Sequence, residues 1–265
     1  MLPVRQSPDV KPNWSFRNDE ADRSQVETNF AWIERERAER PPFCRPGDVI
    51  LLGGSSLADF RIRVAQSHMR HDLTPSYWSL VGVVSGPNRF LTAPLWPLVE
   101  PDRVPLSNGI QSLALSAFDD PARWPNIAVI RFPGTQRSPV RGIGRLRRQR
   151  SIIDLPTLLL PWLGFVWGAG TAGNPLLAGY GIPSAVLVET AFGLAEVELT
   201  PGLAAANSCP EAIYQSAKWW RGFYQETAGY QDDAAASSAS SDGEENHPVG
   251  RYVLRQRQAS YLEPK

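Results

Sequence analysis

Three histidines, two cysteines and one glycine-rich stretch are the residues of this 265-residue chain whose types and spacing could do chemistry. His68 and His71, in QSHMRHD, stand three apart, and side chains three apart on a helix share a face; with Asp72 beside them they could ligate a metal ion. No further ligand cluster accompanies them, so an exposed loop or helix end is the better reading and no metal is expected. His247 lies in a low-complexity tract. Cys44 and Cys209 are far apart and outside any metal-ligand spacing, which argues against both a disulfide framework and a zinc site. GAGTAG, from Gly168 to Gly173, has the glycine spacing of a phosphate loop but neither follows a clear strand nor opens a clear helix. It reads as a turn, and no cofactor is expected. A Gly-x-Ser-x-Gly elbow, a P-loop and a dinucleotide fingerprint are all absent, and the carboxylates are too scattered to choose an acid/base pair.

Charge narrows the partners. Basic and acidic residues balance at 27 each, so the net field favours neither nucleic acid nor an anionic surface, and a charged partner must be recognised locally. The one dense basic run is RGIGRLRRQR, Arg141 to Arg150. With no aromatic residues between its arginines to stack on bases, it reads as a solvated loop; the functional alternative is a docking patch for an acidic partner through Arg145, Arg147, Arg148 and Arg150. LPTLLLPWLGFVWGAG is the longest apolar segment, but Pro156, Pro161 and its glycines interrupt it, and it is shorter than the roughly 20 residues of a bilayer span. A buried core segment is predicted there, with no transmembrane helix. The opening MLPVRQSPDVKPNW carries no apolar signal region, so a cytoplasmic location is expected, with delivery by a signal-independent machine left open.

The elements that must position any site follow from periodicity. ADRSQVETNFAWIERERAER, Ala21 to Arg40, predicts an amphipathic helix with Val26, Phe30 and Ile33 on its apolar face, stopped by PPFCRPGD. Strands are predicted at Asp48–Leu52, Ser79–Val84, Arg89–Ala93 and Ile127–Phe132, as an antiparallel meander, with a helix at Leu57–Ala65. Further helices are predicted at PSAVLVETAF and from Pro210 through PEAIYQSAKWWRGFY. DDAAASSASSDGEENHP is too poor in apolar groups to offset its ordering entropy and reads as a disordered linker before VGRYVLRQRQASYL, which could return as a strand. The division expected is an arm and helix over 1–42, a main domain over 43–231, the linker over 232–248 and a terminal segment over 249–265.

The order PGDVILLGG, helix, YWSLVGVV, RFLTA, IAVIRF, PSAVLVETAF, SCPEAIYQSAKWW resembles the circularly permuted branch of the NlpC-type papain-like peptidases and amidases over Pro46 to Trp220. The resemblance implies an α+β permuted papain-like fold: an antiparallel sheet or half-barrel packed against helices, with an N-terminal helical extension. In that family a Gly-Asp pair opens the first strand, matched by Gly47 and Asp48. A Ser-His-hydrophobic-Gly motif supplies the base, and here the stretch is Ser79, Leu80, Val81, Gly82. An acid before Ala orients the histidine, where Thr92 precedes Ala93, and a cysteine heads the helix at which Ser184 stands.

All three chemical positions therefore depart from the frame. Leucine cannot accept a proton, and losing a triad member costs on the order of 10⁴ in rate. The resemblance implies a catalytically inactive domain that binds a protein, peptide-like or lipid partner in the old cleft, lined by Trp78, Ser79 and Ser184, with Trp162 and Trp167 as further walls or core. The rivals are an amide or ester hydrolase using Ser184 with His68 or His71 as a displaced base, and an adaptor with a filled cleft. On residue type alone, Ser184 reads as a helix cap and Leu80 as core.

Overall fold

The structure, a computed structural model, describes residues 27–39, 41–95, 109–132, 138–148, 155–167, 173–220 and 253–255. β1 (Val49–Gly53, VILLG) is buried at every position, and the chain is organised around it. It pairs antiparallel with β2 (Leu80–Gly86) on one side and β5 (Asn126–Ile130) on the other. β3 (Arg89–Thr92) and β4 (Gln111–Ala114) extend the sheet beyond β2. Three residues of the terminal segment, β6 (Val253–Arg255), add to β5, so the predicted returning strand is present. The order is β4-β3-β2-β1-β5-β6, an open antiparallel sheet.

Alternation sorts the side chains of these strands to two faces. Val49, Leu51, Val81, Val83, Leu91, Ala128 and Ile130 belong to one apolar core. Against it lie α2 (Leu57–Ala65), α3 (Ser138–Arg148), α4 (Leu155–Trp167) and α5 (Pro183–Gly193), with a further helix, α6, over 210–220. Ile50, Leu52, Leu80, Val84, Phe90, Ile127 and Val129 form the second core with Phe118 and Trp124, closed by α1 (Asn29–Glu39). The mixed α+β class with an antiparallel sheet against helices is as expected.

Several expectations change. The inward face of α1 is Asn29, Trp32, Ile33 and Glu36, which shares Ile33 with the predicted one; Phe30 is only half-buried, and Val26 lies outside the described residues. The cause is Asn29, whose amide donates to Phe118 O at 2.7 Å and Trp124 O at 2.9 Å and so fixes the helix's rotation. The basic run expected to be a loop is mostly the helix α3. Ile143 and Leu146 face the core, and Gly142 allows close approach to α5, since a Cβ there would sit 2.9 Å from Ala191 O. Its Arg141, Arg145 and Arg147 are exposed, as a solvated run requires; the side chain of Arg148 and all of Arg150 lie outside the description. The apolar segment expected to be core is the helix α4, whose described side chains are buried only in the stripe Leu159, Trp162 and Val166. β4 was not foreseen, because GIQSLAL carries too few apolar residues for a clear period-two signal. Most of the GAGTAG turn and the acidic linker lie outside the described residues.

Gly53 ends β1 where the backbone of the next segment crosses it. A Cβ at that position would stand 1.8 Å from Tyr77 O, a contact that no side-chain rotation relieves. Gly53→Ala is therefore expected to lower unfolding free energy by about 3 kcal/mol, the upper end for overpacking. Urea denaturation of the two proteins checks this, and equal midpoints would show that the strand end can shift.

Candidate functional site

α5 begins where two backbone hydrogen bonds fix its approach: Gly181 N donates to Ala206 O at 2.7 Å and Ile182 N to Ser208 O at 2.9 Å. Ile182 is the residue that caps the helix, it offers no side-chain bond, and Pro183 occupies the first turn as proline does well. Ser184 thus lies two positions past the cap, inside the first turn, and does not cap the helix, contrary to expectation. It is 1% exposed, and among the described residues its Oγ has no hydrogen-bond partner.

The other positions of the expected triad do not gather around it. Ser79 donates to Asp59 Oδ1 at 2.7 Å, which turns Ser79 toward α2. Strand alternation then sends the next residue, Leu80, to the opposite face, into the α1 core, while Val81 and Val83 face α5. Thr92 is buried and donates to Val81 O at 2.6 Å, a bond within the sheet. His68 and His71 are both exposed, and His68 Nδ1 lies 3.1 Å from Ala65 O. Neither is a partner of Ser184. Among the described residues no group of three His, Cys, Asp or Glu could hold a metal ion. Burial pushes the thiols of Cys44 and Cys209 up to about 12, so neither supplies thiolate at neutral pH.

The tryptophans expected to wall a groove divide differently. Trp78 is fully buried, 5.1 Å between ring centroids from Tyr214. Trp162 is fully buried and donates from Nε1 to Gly181 O at 2.9 Å, anchoring α4 beside the start of α5. Trp167 alone of the three is exposed. Where a cleft was expected, apolar side chains are packed.

Polar chemistry concentrates instead in a buried seam between α2, the entry to β2 and α6. Ser56 Oγ accepts from Asp59 N at 3.1 Å and donates to Asp59 Oδ2 at 2.5 Å, which closes the first turn of α2. Gly54 N donates to Ser79 Oγ at 3.1 Å. Arg63 Nε donates to Ser76 O at 2.6 Å, and Gln66 Nε2 donates to Trp78 O at 2.8 Å while its Oε1 accepts from Glu211 N at 2.9 Å. Glu211 is completely buried; it accepts from Ser76 Oγ at 2.6 Å and Gln215 Nε2 at 2.5 Å, with Arg70 at 3.6 Å. Burial raises the Asp59 carboxyl above its ordinary value, against the lowering effect of Ser56, Ser79, Arg123 and Arg63. Glu189 on α5 is likewise raised by burial and accepts from Thr200 at 2.7 Å and Ser208 at 3.0 Å. Buried polar groups satisfied in this way hold segments in place. Sequence reasoning missed Asp59, Arg63, Gln66 and Glu211; only the Ser56-x-x-Asp59 spacing carried a local signal.

The sign of the Asp59 effect follows from its raised folded value. Below the unfolded carboxyl pKa of about 3.9 both states are protonated and burial carries no charge penalty; as pH rises through the folded value, the native state must ionise a buried group and loses stability. The stability advantage of the native chain over Asp59→Asn is therefore expected to be largest near pH 4 and to shrink toward neutrality. Denaturation series across that range check it; a constant or widening gap would contradict the direction. No protein family, curated protein or solved structure matches this chain.

Proposed function

We propose that this chain is a catalytically inactive, papain-like pseudo-hydrolase that serves as a binding or assembly component. The observation that carries the reading is the state of Ser184: its hydroxyl is buried in the interior and has no hydrogen-bond partner among the described residues. A serine nucleophile needs a base to take its proton and a path for substrate to its oxygen. The described imidazoles are at the surface, and the residue at the base position packs in the other core. The hydrolase alternative requires both of these to change together.

The same burial favours the form of the proposal in which the ancestral cleft is filled. Trp78, Ser79, Leu80, Thr92 and Ser184 are each at most 4% exposed, so a partner would meet the outer surface rather than these residues. Protein, peptide-like and lipid partners all remain within this reading, and no cofactor enters it.

Ser184→Ala removes a buried polar group that has no partner, so stability is expected to hold or to rise by about 1 kcal/mol. Hydrolysis of acyl esters and peptidoglycan fragments is expected to stay at the buffer background in both proteins. Turnover that disappears with Ser184→Ala and also with His68→Ala or His71→Ala would establish the enzyme. Leu80→His is the complementary test: the new imidazole would face the α1 core, so it is expected to cost stability by about 1–3 kcal/mol and to create no activity.

A further inference from the structure

α4 reads LPTLLLPWLGFVW and has no charged residue, yet it buries only one stripe. A flank of the helix outside that stripe carries Leu160 and Trp167, seven residues and two turns apart, each 69% exposed. α2 contacts α4, and its own outward pair, Leu57 and Val64, has the same spacing and is 43% and 41% exposed. The Arg61 guanidinium of α2 donates to Val166 O, tying the two helices together. A short turn, Pro175–Ala178, also contacts α4 and places Leu177 outside at 73%, while Asn174 Nδ2 donates to Ala65 O at 2.8 Å and joins this turn to the end of α2. These contacts join the three elements that between them expose five large apolar side chains.

Monomeric proteins rarely leave such a surface to water, and singly scattered leucines would need no explanation. What distinguishes this one is its setting. The sequence from Arg137 to Ile153 has no acidic residue, Asp154 alone standing between it and α4, and Arg141, Arg145 and Arg147 of α3 are exposed. α3 and α4 both pack against α5, and only residues 149–154 connect them, a reach of about 25 Å at most. A chain of zero net charge thus presents uncharged leucines and a tryptophan next in sequence to its densest positive charge.

We propose that α4, with α2 and the Leu177 turn, is a docking face for an anionic lipid surface, with the α3 arginines supplying attraction to headgroups. At 13 residues α4 is about 20 Å long, against a hydrocarbon core of about 30 Å, so it lies in the interface and does not span it. Trp167 suits the headgroup level, where an apolar ring with a polar N–H is favoured. Each arginine near an anionic surface strengthens binding by about fivefold, so three contribute on the order of 100-fold. This inference does not rest on the fate of Ser184, since it uses neither the filled cleft nor its chemistry.

Flotation of the full chain with vesicles of phosphatidylcholine alone, and of equal parts phosphatidylcholine and phosphatidylglycerol, tests the proposal. Binding is expected to the mixed vesicles and to weaken with added salt. The double variant Leu160→Glu/Trp167→Glu is expected to bind at least tenfold more weakly while keeping its melting temperature, because both side chains are exposed. If that variant unfolds, Leu177→Glu supplies the same reading from a separate turn. Arg141→Gln/Arg145→Gln/Arg147→Gln is expected to lose about 100-fold on the mixed vesicles and little on phosphatidylcholine. Absence of flotation with either vesicle, or equal binding to both, would overturn the proposal. So would a dimer in light scattering that Leu160→Glu/Trp167→Glu dissolves, since the face would then belong to a second copy of the chain. None of these readouts measures hydrolysis, so their failure is separable from failure of the inactive-domain reading.

Discussion

A strand that is apolar on both faces imposes two cores, and that constraint governs the rest of this molecule. Val49, Ile50, Leu51 and Leu52 of β1 are all essentially inaccessible, and burying each such side chain stabilises the fold by about 2 kcal/mol. No single layer of helices can provide this. α3, α4 and α5 cover one face, so the second must be covered from elsewhere in sequence, and α1 with Phe118 and Trp124 does it. The hydrogen bonds from Asn29 to the carbonyls of Phe118 and Trp124 are what bind these distant pieces into one wall.

The phase of β2 is the second consequence. Two faces of equal apolarity would tolerate a one-residue slip of β2, because its sequence, SLVGVV, is nearly as apolar at odd as at even positions. The polar seam removes this ambiguity. Ser79 can satisfy Asp59 and Gly54 only if it points toward α2, and the bond from Ser79 N to Leu52 O sets it against the end of β1. A buried carboxylate with a raised pKa is costly to stability in itself. Here it specifies register, and that specification is what carries Leu80 away from α5.

Elements were legible in the sequence to the extent that their information is local. Leu57–Ala65 was readable to the residue because Ser56 and Asp59 close its first turn within four positions. β1, β2, β3, β5 and α5 were readable from short apolar runs between turn residues. The rotation of α1 was not, because it is set by carbonyls some ninety positions away. α3 was hidden by its arginines, which outweigh the two residues, Ile143 and Leu146, that it buries. The candidate site was the least legible part: the motif frame aligned Leu80, Thr92 and Ser184 by order, but whether a strand residue faces a helix depends on a phase that order does not contain. Glu211 and Gln66 meet across 145 positions, with nothing in either neighbourhood to announce it.

The same two-core constraint bears on where function can reside. Trp78, Trp162 and the apolar residues of β2 pack with α5 into one core. α4 follows the opposite course. One stripe, Leu159, Trp162 and Val166, suffices to hold it against the core, and a polar outer face would then be the ordinary solution for a surface helix. Its outer face is instead uncharged and aromatic. An uncharged, partly aromatic outer face departs from that solution, and in this fold the departure sits on α4 rather than in the packing around α5.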